Sequence, residues 1–190
     1  FSDFSQLRFV KVKSFEKEFS AYIGCKHGIG VNSGTDALIL ALSAIGIKDG
    51  DEIITTPFTA IPTYSAIRHI GAVPIFVDIN PETFLIDINK VYDLITSKTK
   101  AILPIHFTGK MCDMKKINAI AEQHGLTVVE DTAQSFGAEL DGKKAGSFGV
   151  LGCLSMNPMK VLCAYGEAGA VVTDDEQLAQ KLKSLRYAGT

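Results

Sequence analysis

The sequence alternates short apolar runs with longer stretches in which apolar residues recur at helical spacing, and this alternation restricts the fold more than any other feature. Strands are predicted at 28–31, 52–56, 73–79, 101–105, 126–130, 151–156 and 170–173. Helices are predicted at 36–45, 62–70, 89–97, 114–124 and 175–186, the last capped by Asp174 or Asp175. This order predicts an α/β domain built on a largely parallel sheet.

Two features of the predicted strands show how the sheet is covered and connected. Residues 102–105 and 128–129 are apolar without alternation, which is typical of strands buried on both faces. No helix separates the strands at 151–156 and 170–173, and this connection suits an antiparallel pair. The sequence contains no internal repeat or linker, so we interpret residues 1–190 as one domain.

The composition excludes several classes of partner. A net charge of -2 and a pI of about 6.1 leave no basic field for nucleic acid or an anionic membrane. No apolar stretch approaches the ~20 residues that span a bilayer. The cysteines at positions 25, 112, 153 and 163 show neither paired spacing nor histidines at zinc spacing. We therefore expect no metal site, and reduced core thiols in a cytoplasmic protein.

Candidate binding residues are sought at the carboxyl ends of the strands, where open α/β sheets bind their ligands. The segment 32–38 follows a strand and opens a helix, so its N–H groups can hold a phosphate, and Gly34 allows close approach of the backbone. The alternative is a plain helix start capped by Ser33 or Thr35. The segment is not a Walker motif, and Ser33 stands where a dinucleotide fingerprint needs its third glycine.

Three polar residues follow other predicted strands. A carboxylate buried at Asp131 needs a cationic or hydrogen-bonding partner, although an Asp capping the next turn is the alternative. Lys160 lies among apolar residues, where an amine can form a Schiff base, although a snorkelling surface lysine is commoner. His106 can line a pocket, but a lone histidine is more often structural. The glycines of 165–169 indicate a tight turn near the same edge, or a plain hairpin turn.

The order and spacing of these segments together resemble the DegT/DnrJ/EryC1/StrS family of sugar aminotransferases, which use pyridoxal 5'-phosphate (PLP). The resemblance rests on segments 32–38, 130–134, 155–160 and 166–169, and it extends from about residue 15 to residue 190. It implies the aspartate-aminotransferase-like fold (fold type I), whose large domain is a seven-stranded mixed sheet with one antiparallel strand. Family members are longer and carry a C-terminal small domain. We therefore expect residues 1–190 to be the PLP-binding large domain of a longer chain, without the small domain.

The resemblance also implies roles for individual residues. Lys160 would form the internal aldimine with PLP and then move the proton between the amino-acid α-carbon and the cofactor. Asp131 would pair with the pyridine nitrogen and keep it protonated, because the protonated ring is the electron sink. Gln134 would hydrogen-bond the phenolic oxygen of the ring.

The remaining binding residues implied by the resemblance surround these three. The phosphate would be held by Gly34, Thr35 and Ser155, through backbone N–H groups and hydroxyls at a helix start. Asn157 and His106 are predicted to contribute to the substrate pocket.

One position departs from the family pattern. Ala60 stands where many members carry an aromatic residue that stacks on the pyridine ring, and Phe58, Tyr64 or His106 is expected to supply a ring contact instead. Met156 replaces a common aromatic residue beside the phosphate serine, which is a mild change of volume.

The implied function is transfer of an amino group from an amino acid, expected to be glutamate, to a keto sugar, expected to be nucleotide-linked, by a homodimer. Lys160 argues against the dehydratases of the family, which carry histidine at this position, whereas an aromatising member that makes an aminobenzoate stays open. Two alternatives of other classes also stay open. One is a non-catalytic protein that binds PLP or a sugar nucleotide, and the other is a nucleotide-binding α/β domain without PLP.

Overall fold

The computed structural model describes residues 2–187, with side chains from residue 10 onwards. Within this range a seven-stranded sheet lies between α-helices, and a two-stranded ribbon stands apart from it. The helices are α1 (Ser2–Ile23), α2 (Gly34–Ala44), α3 (Ile61–His69), α4 (Met114–His124) and α5 (Glu176–Arg186). The strands are β1 (His27–Val31), β2 (Glu52–Thr55), β3 (Val73–Phe76), β4 (Thr99–Ile102), β5 (Thr127–Asp131), β6 (Glu139–Leu140), β7 (Lys143–Lys144), β8 (Leu151–Ser155) and β9 (Gly169–Thr173).

The strand order in the large sheet is β1-β9-β8-β5-β4-β2-β3. β9 runs antiparallel to both of its neighbours, β1 and β8, while the remaining pairs are parallel. The predicted mixed sheet with one antiparallel strand at 170–173 is therefore confirmed. All strands except β9 end at the same edge of this sheet, and the loops that leave that edge can form a binding site.

Helices cover both faces of the sheet. α2, α3 and α5 lie over one face, where Leu42, Leu182 and Val129 belong to one buried cluster. α4 lies over the other face, where Ile117 packs with Val128 in a second cluster. Because successive side chains of a strand point to opposite faces, the neighbours Val128 and Val129 face different helix layers. The same alternation directs Glu130 and Asp131, the last two residues of β5, to opposite faces of the sheet.

The sequence pattern does not predict α1, because lysines interrupt its apolar spacing. Its aromatic side chains nevertheless face the sheet: the Phe15 and Phe19 rings are 5.4 Å apart, and Phe19 and Phe136 are 6.2 Å apart. The Glu16 carboxylate accepts a hydrogen bond from the Gly30 N–H at 2.9 Å and ties the helix to β1. Among the helices of residues 2–187, none is both long and apolar enough to cross a membrane.

The predicted helix at 89–97 is wrong. The chain there forms two single 3₁₀ turns, Ile88–Lys90 and Tyr92–Leu94. The Thr99 hydroxyl accepts the N–H of Thr96 at 2.9 Å and stabilises a turn that leads directly into β4. Such side-chain bonds to the backbone compete with helical hydrogen bonding. The cap of α5, in contrast, is Asp175, one of the two predicted residues, and it accepts two backbone N–H groups.

The prediction that all the cysteines are core residues is wrong for one of them. Each cysteine is a free thiol. Cys112 and Cys153 are buried and Cys25 is half-buried, but Cys163 is exposed. Cys163 lies in the loop between β8 and β9, which leaves the binding edge of the sheet and so carries its side chain to the surface.

Candidate active site

A cavity of about 420 Å³ opens where β5 and β8 end and where α2 and α3 begin. Its wall contains the residues predicted to bind a cofactor, which come from three separate parts of the chain. The wall residues able to bind ligands or move protons are Gly34, Thr35, Thr59, Thr63, Asp131, Gln134, Ser155, Asn157, Lys160 and Glu167. The structure therefore brings together every residue of the predicted cofactor set.

The start of α2 forms one side of this cavity. Ser33 is the N-cap, with an extended backbone, and its hydroxyl accepts the Asp36 N–H at 3.1 Å. Thr35 is therefore not the cap, and it lies in the first turn at the cavity wall. Because the first N–H groups of a helix have no acceptor within the helix, this end of α2 can bind an anion.

Gly34 lets α2 approach the end of β8. A Cβ atom at this position would lie 2.5 Å from Cβ and 2.9 Å from Oγ of Ser155, so a larger side chain would push the two elements apart. Ser155 is 8% exposed and lines the cavity. A serine hydroxyl beside helix N–H groups is the donor set that a phosphate requires, so these residues fit the phosphate of PLP.

Asp131 ends β5 with its carboxylate in the cavity wall. Its Oδ2 accepts the Thr63 hydroxyl at 2.9 Å, and its Oδ1 accepts the Ala133 N–H at 3.1 Å. Burial raises the pKa of Asp131, while these two bonds and the charge of Lys160 act in the opposite direction. A carboxylate has about four acceptor sites, so Asp131 can still accept an N–H from a bound ring.

Lys160 reaches the same cavity from the loop after β8. Its backbone N–H donates to the Asn157 carbonyl at 2.8 Å, which closes a turn and directs the side chain. Among the described residues no hydrogen bond or ion pair holds its Nζ. The amine is close enough to stabilise the charge of Asp131. Lys160 thus presents a half-buried amine that is available to a ligand.

Gln134 follows Asp131 along the cavity wall. Its side-chain Oε1 accepts the Thr108 N–H at 3.1 Å. Because that backbone group can only donate, the oxygen of the amide must face it and the NH₂ group is the free end. Within the described part of the chain this NH₂ has no acceptor, so it can donate to a phenolic oxygen.

Asn157 lines the cavity, but its polar atoms are engaged within the protein. Its Nδ2 donates to Glu167 Oε1 at 2.5 Å, and its Oδ1 accepts the Met159 N–H at 3.0 Å. These bonds join the loop that carries Lys160 to the turn before β9. A contact between Asn157 and substrate stays a prediction.

The prediction that His106 lines the pocket is wrong. Its side chain is fully buried and is not part of the cavity wall, where only its neighbour Ile105 appears. His106 Nδ1 accepts the Cys112 N–H at 3.2 Å, so the ring proton is on Nε2 and is donated to Glu130 Oε2 at 2.9 Å. Both ring nitrogens are therefore engaged behind the sheet, out of reach of a substrate.

Glu130 is the structural partner that sequence reasoning missed. Besides His106, its carboxylate accepts the N–H groups of Gly146 at 3.0 Å, Phe148 at 2.7 Å and Gly149 at 2.6 Å. It therefore holds the turn that leads into β8. The sequence does contain a sign of this role, because Glu130 is a glutamate in a predicted buried strand, and a buried charge requires several partners.

The aromatic residues proposed to replace the missing stacking ring do not line the cavity. Ala60 itself lies in the wall. Phe58 packs against Phe107, with ring centroids 4.5 Å apart, and Tyr64 lies 6.4 Å from Phe76. His106 is fully buried behind the sheet, so the expectation of a ring contact is wrong for it, whereas a contact from Phe58 or Tyr64, which are 40% and 46% exposed, stays a prediction.

Comparison with known proteins shows which family the chain resembles. The model of the DegT/DnrJ/EryC1/StrS aminotransferase family matches residues 4–190. A pleiotropic regulatory protein of Geobacillus stearothermophilus is 48% identical over 179 residues, which are 94% of this chain and 48% of that protein. A dTDP-3-amino-3,4,6-trideoxy-alpha-D-glucose transaminase of Micromonospora megalomicea subsp. nigra is 45% identical over 178 residues, again 94% of this chain and 48% of that protein.

A solved structure extends the comparison to three dimensions. The crystal structure of NtdA from Bacillus subtilis with bound cofactor PMP superimposes with a TM-score of 0.88 at 41% identity, covering 93% of this chain and 40% of that one. The chain spans about half the length of the curated relatives it matches. Its sheet is thus that of the PLP-dependent transferases, and the chain belongs to the DegT/DnrJ/EryC1/StrS aminotransferase family.

Proposed function

We propose that this protein is a PLP-dependent aminotransferase that transfers an amino group from an amino acid, glutamate in our proposal, to a nucleotide-linked keto sugar. One observation carries the proposal: an amine without a partner among the described residues, a buried carboxylate and an anion-binding helix start share one cavity. The transaminase name of the Micromonospora relative supports the reaction, and the PMP in NtdA supports the cofactor.

Each of these cavity residues has a separate role in the proposed reaction. PLP supplies an aldehyde that an amine can capture and a ring that accepts electrons when its nitrogen is protonated. Asp131 holds the proton at the ring nitrogen, and Gln134 donates to the phenolic oxygen. Gly34, Thr35 and Ser155 bind the phosphate. Lys160 is the amine, and its Nζ then removes the proton from the α-carbon of the donor amino acid.

Cofactor capture by Lys160 is tested by adding PLP to the purified protein. We expect near-visible absorbance, and borohydride reduction should leave a covalent label on the peptide that contains Lys160. The variant Lys160→Ala should lose both signals and all transaminase turnover, because no other amine of residues 10–187 lines the cavity. The matched control Lys98→Ala alters an exposed lysine of the loop before β4 and should keep both signals. A wild-type protein that stays colourless with PLP would refute the proposal.

The name of the Geobacillus relative favours a second candidate, a PLP-binding regulator without turnover. Colour with PLP but no amino transfer from glutamate to any of a panel of nucleotide-linked keto sugars would support that candidate. Formation of an aminobenzoate would instead identify an aromatising enzyme.

Self-association and a cytoplasmic location complete the proposal. Ile61, Met159 and Val161 expose 79%, 91% and 72% of their surface around the cavity mouth, and a second subunit there would remove this apolar area from water. Sedimentation should show a dimer, and a monomer at high concentration would contradict it.

A further inference from the structure

Two threonine hydroxyls form a hydrogen-bonded chain that ends on Asp131. Thr59 Oγ1 and Thr63 Oγ1 are 2.9 Å apart, and Thr63 Oγ1 is 2.9 Å from Asp131 Oδ2. All three side chains line the cavity. Thr63 and Asp131 are buried, while Thr59 is half-buried at the outer end of the chain.

The position of these hydroxyls on α3 shows that they do not cap the helix. The N-cap is Ala60, which has no side-chain cap, and Thr63 lies in the first turn with its N–H bonded to the Ala60 carbonyl at 3.2 Å. Thr59 precedes Thr63 by four residues, so the two hydroxyls meet on one side of the helix start. Both hydroxyls are thereby directed along the cavity wall towards β5.

The direction of the bonds depends on the protonation of Asp131. An ionised carboxylate only accepts, so Thr63 must donate to it, and the Thr63 oxygen must then accept from Thr59. The chain consequently delivers one donor to Asp131 and presents the Thr59 oxygen to the cavity as an acceptor. If Asp131 were protonated on Oδ2, the same hydroxyls could rotate and run in the opposite direction.

We propose that Thr63, supported by Thr59, is a positioning residue that holds Asp131 in its ionised form with its free acceptor sites towards the ring nitrogen of the cofactor. The statement about the cofactor rests on the proposed function. The contact between Thr63 and Asp131 belongs to this chain alone and can be tested without PLP. Thr63 acts through Asp131 and not on the substrate.

The surroundings of Asp131 explain why this hydroxyl matters. Burial raises the pKa of the carboxyl, and the Ala133 N–H and the Thr63 hydroxyl are the two direct bonds that oppose it. The titratable groups that face Asp131 from neighbouring elements are Lys160 after β8 and Cys153 on β8, and His106 after β4 lies on the other side of the sheet. Loss of the Thr63 bond would leave this buried charge less stabilised, so its pKa would rise further.

The experiment titrates Asp131 in the cofactor-free protein by isotope-edited infrared or carbon NMR spectroscopy, with Asp131→Asn to assign the signal. Thr63→Val removes the hydroxyl at constant shape and should raise the pKa of Asp131, whereas Thr63→Ser should leave it close to wild type. The control Thr55→Val removes another buried hydroxyl, which donates to the Leu103 carbonyl at 2.9 Å away from the cavity, and should not move the titration.

Binding of PLP gives a second readout. Thr63→Val should weaken PLP binding about tenfold, which corresponds to the loss of one bond to a charged group, and Thr63→Ser should restore it. An unchanged Asp131 titration in Thr63→Val would overturn the inference, whatever the effect on activity. If Thr63→Val does not fold, Thr59→Val should raise the pKa of Asp131 by a smaller amount. An unchanged pKa in Thr59→Val would overturn the inference that Thr59 supports Thr63. Failure of the wild type to bind PLP would refute the proposed function but leave the titration decisive for Thr63.

Discussion

Glu130 and Asp131 are adjacent carboxylates at the end of one strand, yet they lie in opposite environments. Glu130 points behind the sheet, is fully buried and accepts four hydrogen bonds from three backbone N–H groups and His106. Asp131 points into the cavity, is 5% exposed and accepts two. The two carboxylates are therefore similarly buried but differ in how many of their acceptor sites are filled by hydrogen bonds.

The difference shows which carboxylate is structural and which is available for chemistry. A carboxylate offers about four acceptor sites, so Glu130 is saturated by the protein and Asp131 keeps half of its capacity for a ligand. The donors differ in kind as well. Backbone N–H groups cannot reverse their direction, whereas the Thr63 hydroxyl can. Glu130 thus tolerates only a carboxylate, while the site of Asp131 can adapt to a neutral group.

The largest effect is expected for Glu130→Gln. One of the two side-chain oxygens becomes an NH₂ donor and must face donors that cannot rotate, which leaves buried groups unpaired. We expect a loss of about 3–5 kcal/mol in the free energy of unfolding, measured by urea denaturation. The control Glu122→Gln alters an exposed residue of α4 and should change the free energy of unfolding by less than about 0.5 kcal/mol. If Glu130→Gln were as stable as Glu122→Gln, Glu130 would not be the structural carboxylate that its hydrogen bonds indicate.

A smaller effect, with a characteristic pH dependence, is expected for Asp131→Asn. The Ala133 N–H can still donate to the amide oxygen, and the NH₂ group can donate to a reversed Thr63 hydroxyl. Since burial raises the pKa of Asp131, its stabilising contribution is present below the unfolded pKa of about 3.9 and is lost as pH rises through the folded pKa. The variant avoids that loss, so its unfolding free energy relative to wild type should increase between pH 4 and pH 8. A constant or decreasing difference would contradict the direction of the pKa shift.

The smallest effect concerns thiol reactivity on the two sides. Burial, with the charge of Glu130, raises the pKa of Cys112 to about 12, whereas Cys163 is exposed in the loop that carries Lys160. A thiol reagent at pH 8 should label Cys163 rapidly and Cys112 only after unfolding. Cys163→Ser should abolish the fast phase without a change in stability. Rapid labelling of Cys112 in the folded protein would show that the region around Glu130 is accessible to the reagent.

Much of the site was predictable because it depends on local order along the chain. The ends of strands can be located from apolar runs, and Asp131, Ser155 and Lys160 follow such ends. Gly34 could be placed at a helix start from the change of period. Parallel strands bring these ends to one edge of the sheet whatever the details of packing, so the residues predicted to bind the cofactor lie together as expected.

The residues that were missed or misplaced depend on side-chain packing between distant segments. His106 also follows a predicted strand, but its side chain bonds Glu130 on β5 and the Cys112 N–H and does not line the cavity, and no local pattern reveals these contacts. Thr63 gained its role because α3 approaches β5. The α1 helix lacks a clear period of its own and packs against the sheet through aromatic contacts.

The sequence alone predicts the seven strands of the large sheet, helices α2 to α5, the single antiparallel strand, and the residues that meet at the binding edge of the sheet. These follow from periodicity, turn chemistry and the resemblance of ordered motifs. Which of the two adjacent carboxylates is saturated with hydrogen bonds and which is open depends instead on the folded packing. That distinction depends on donors supplied by residues far apart in the chain, and these are brought together only when both faces of the sheet are covered.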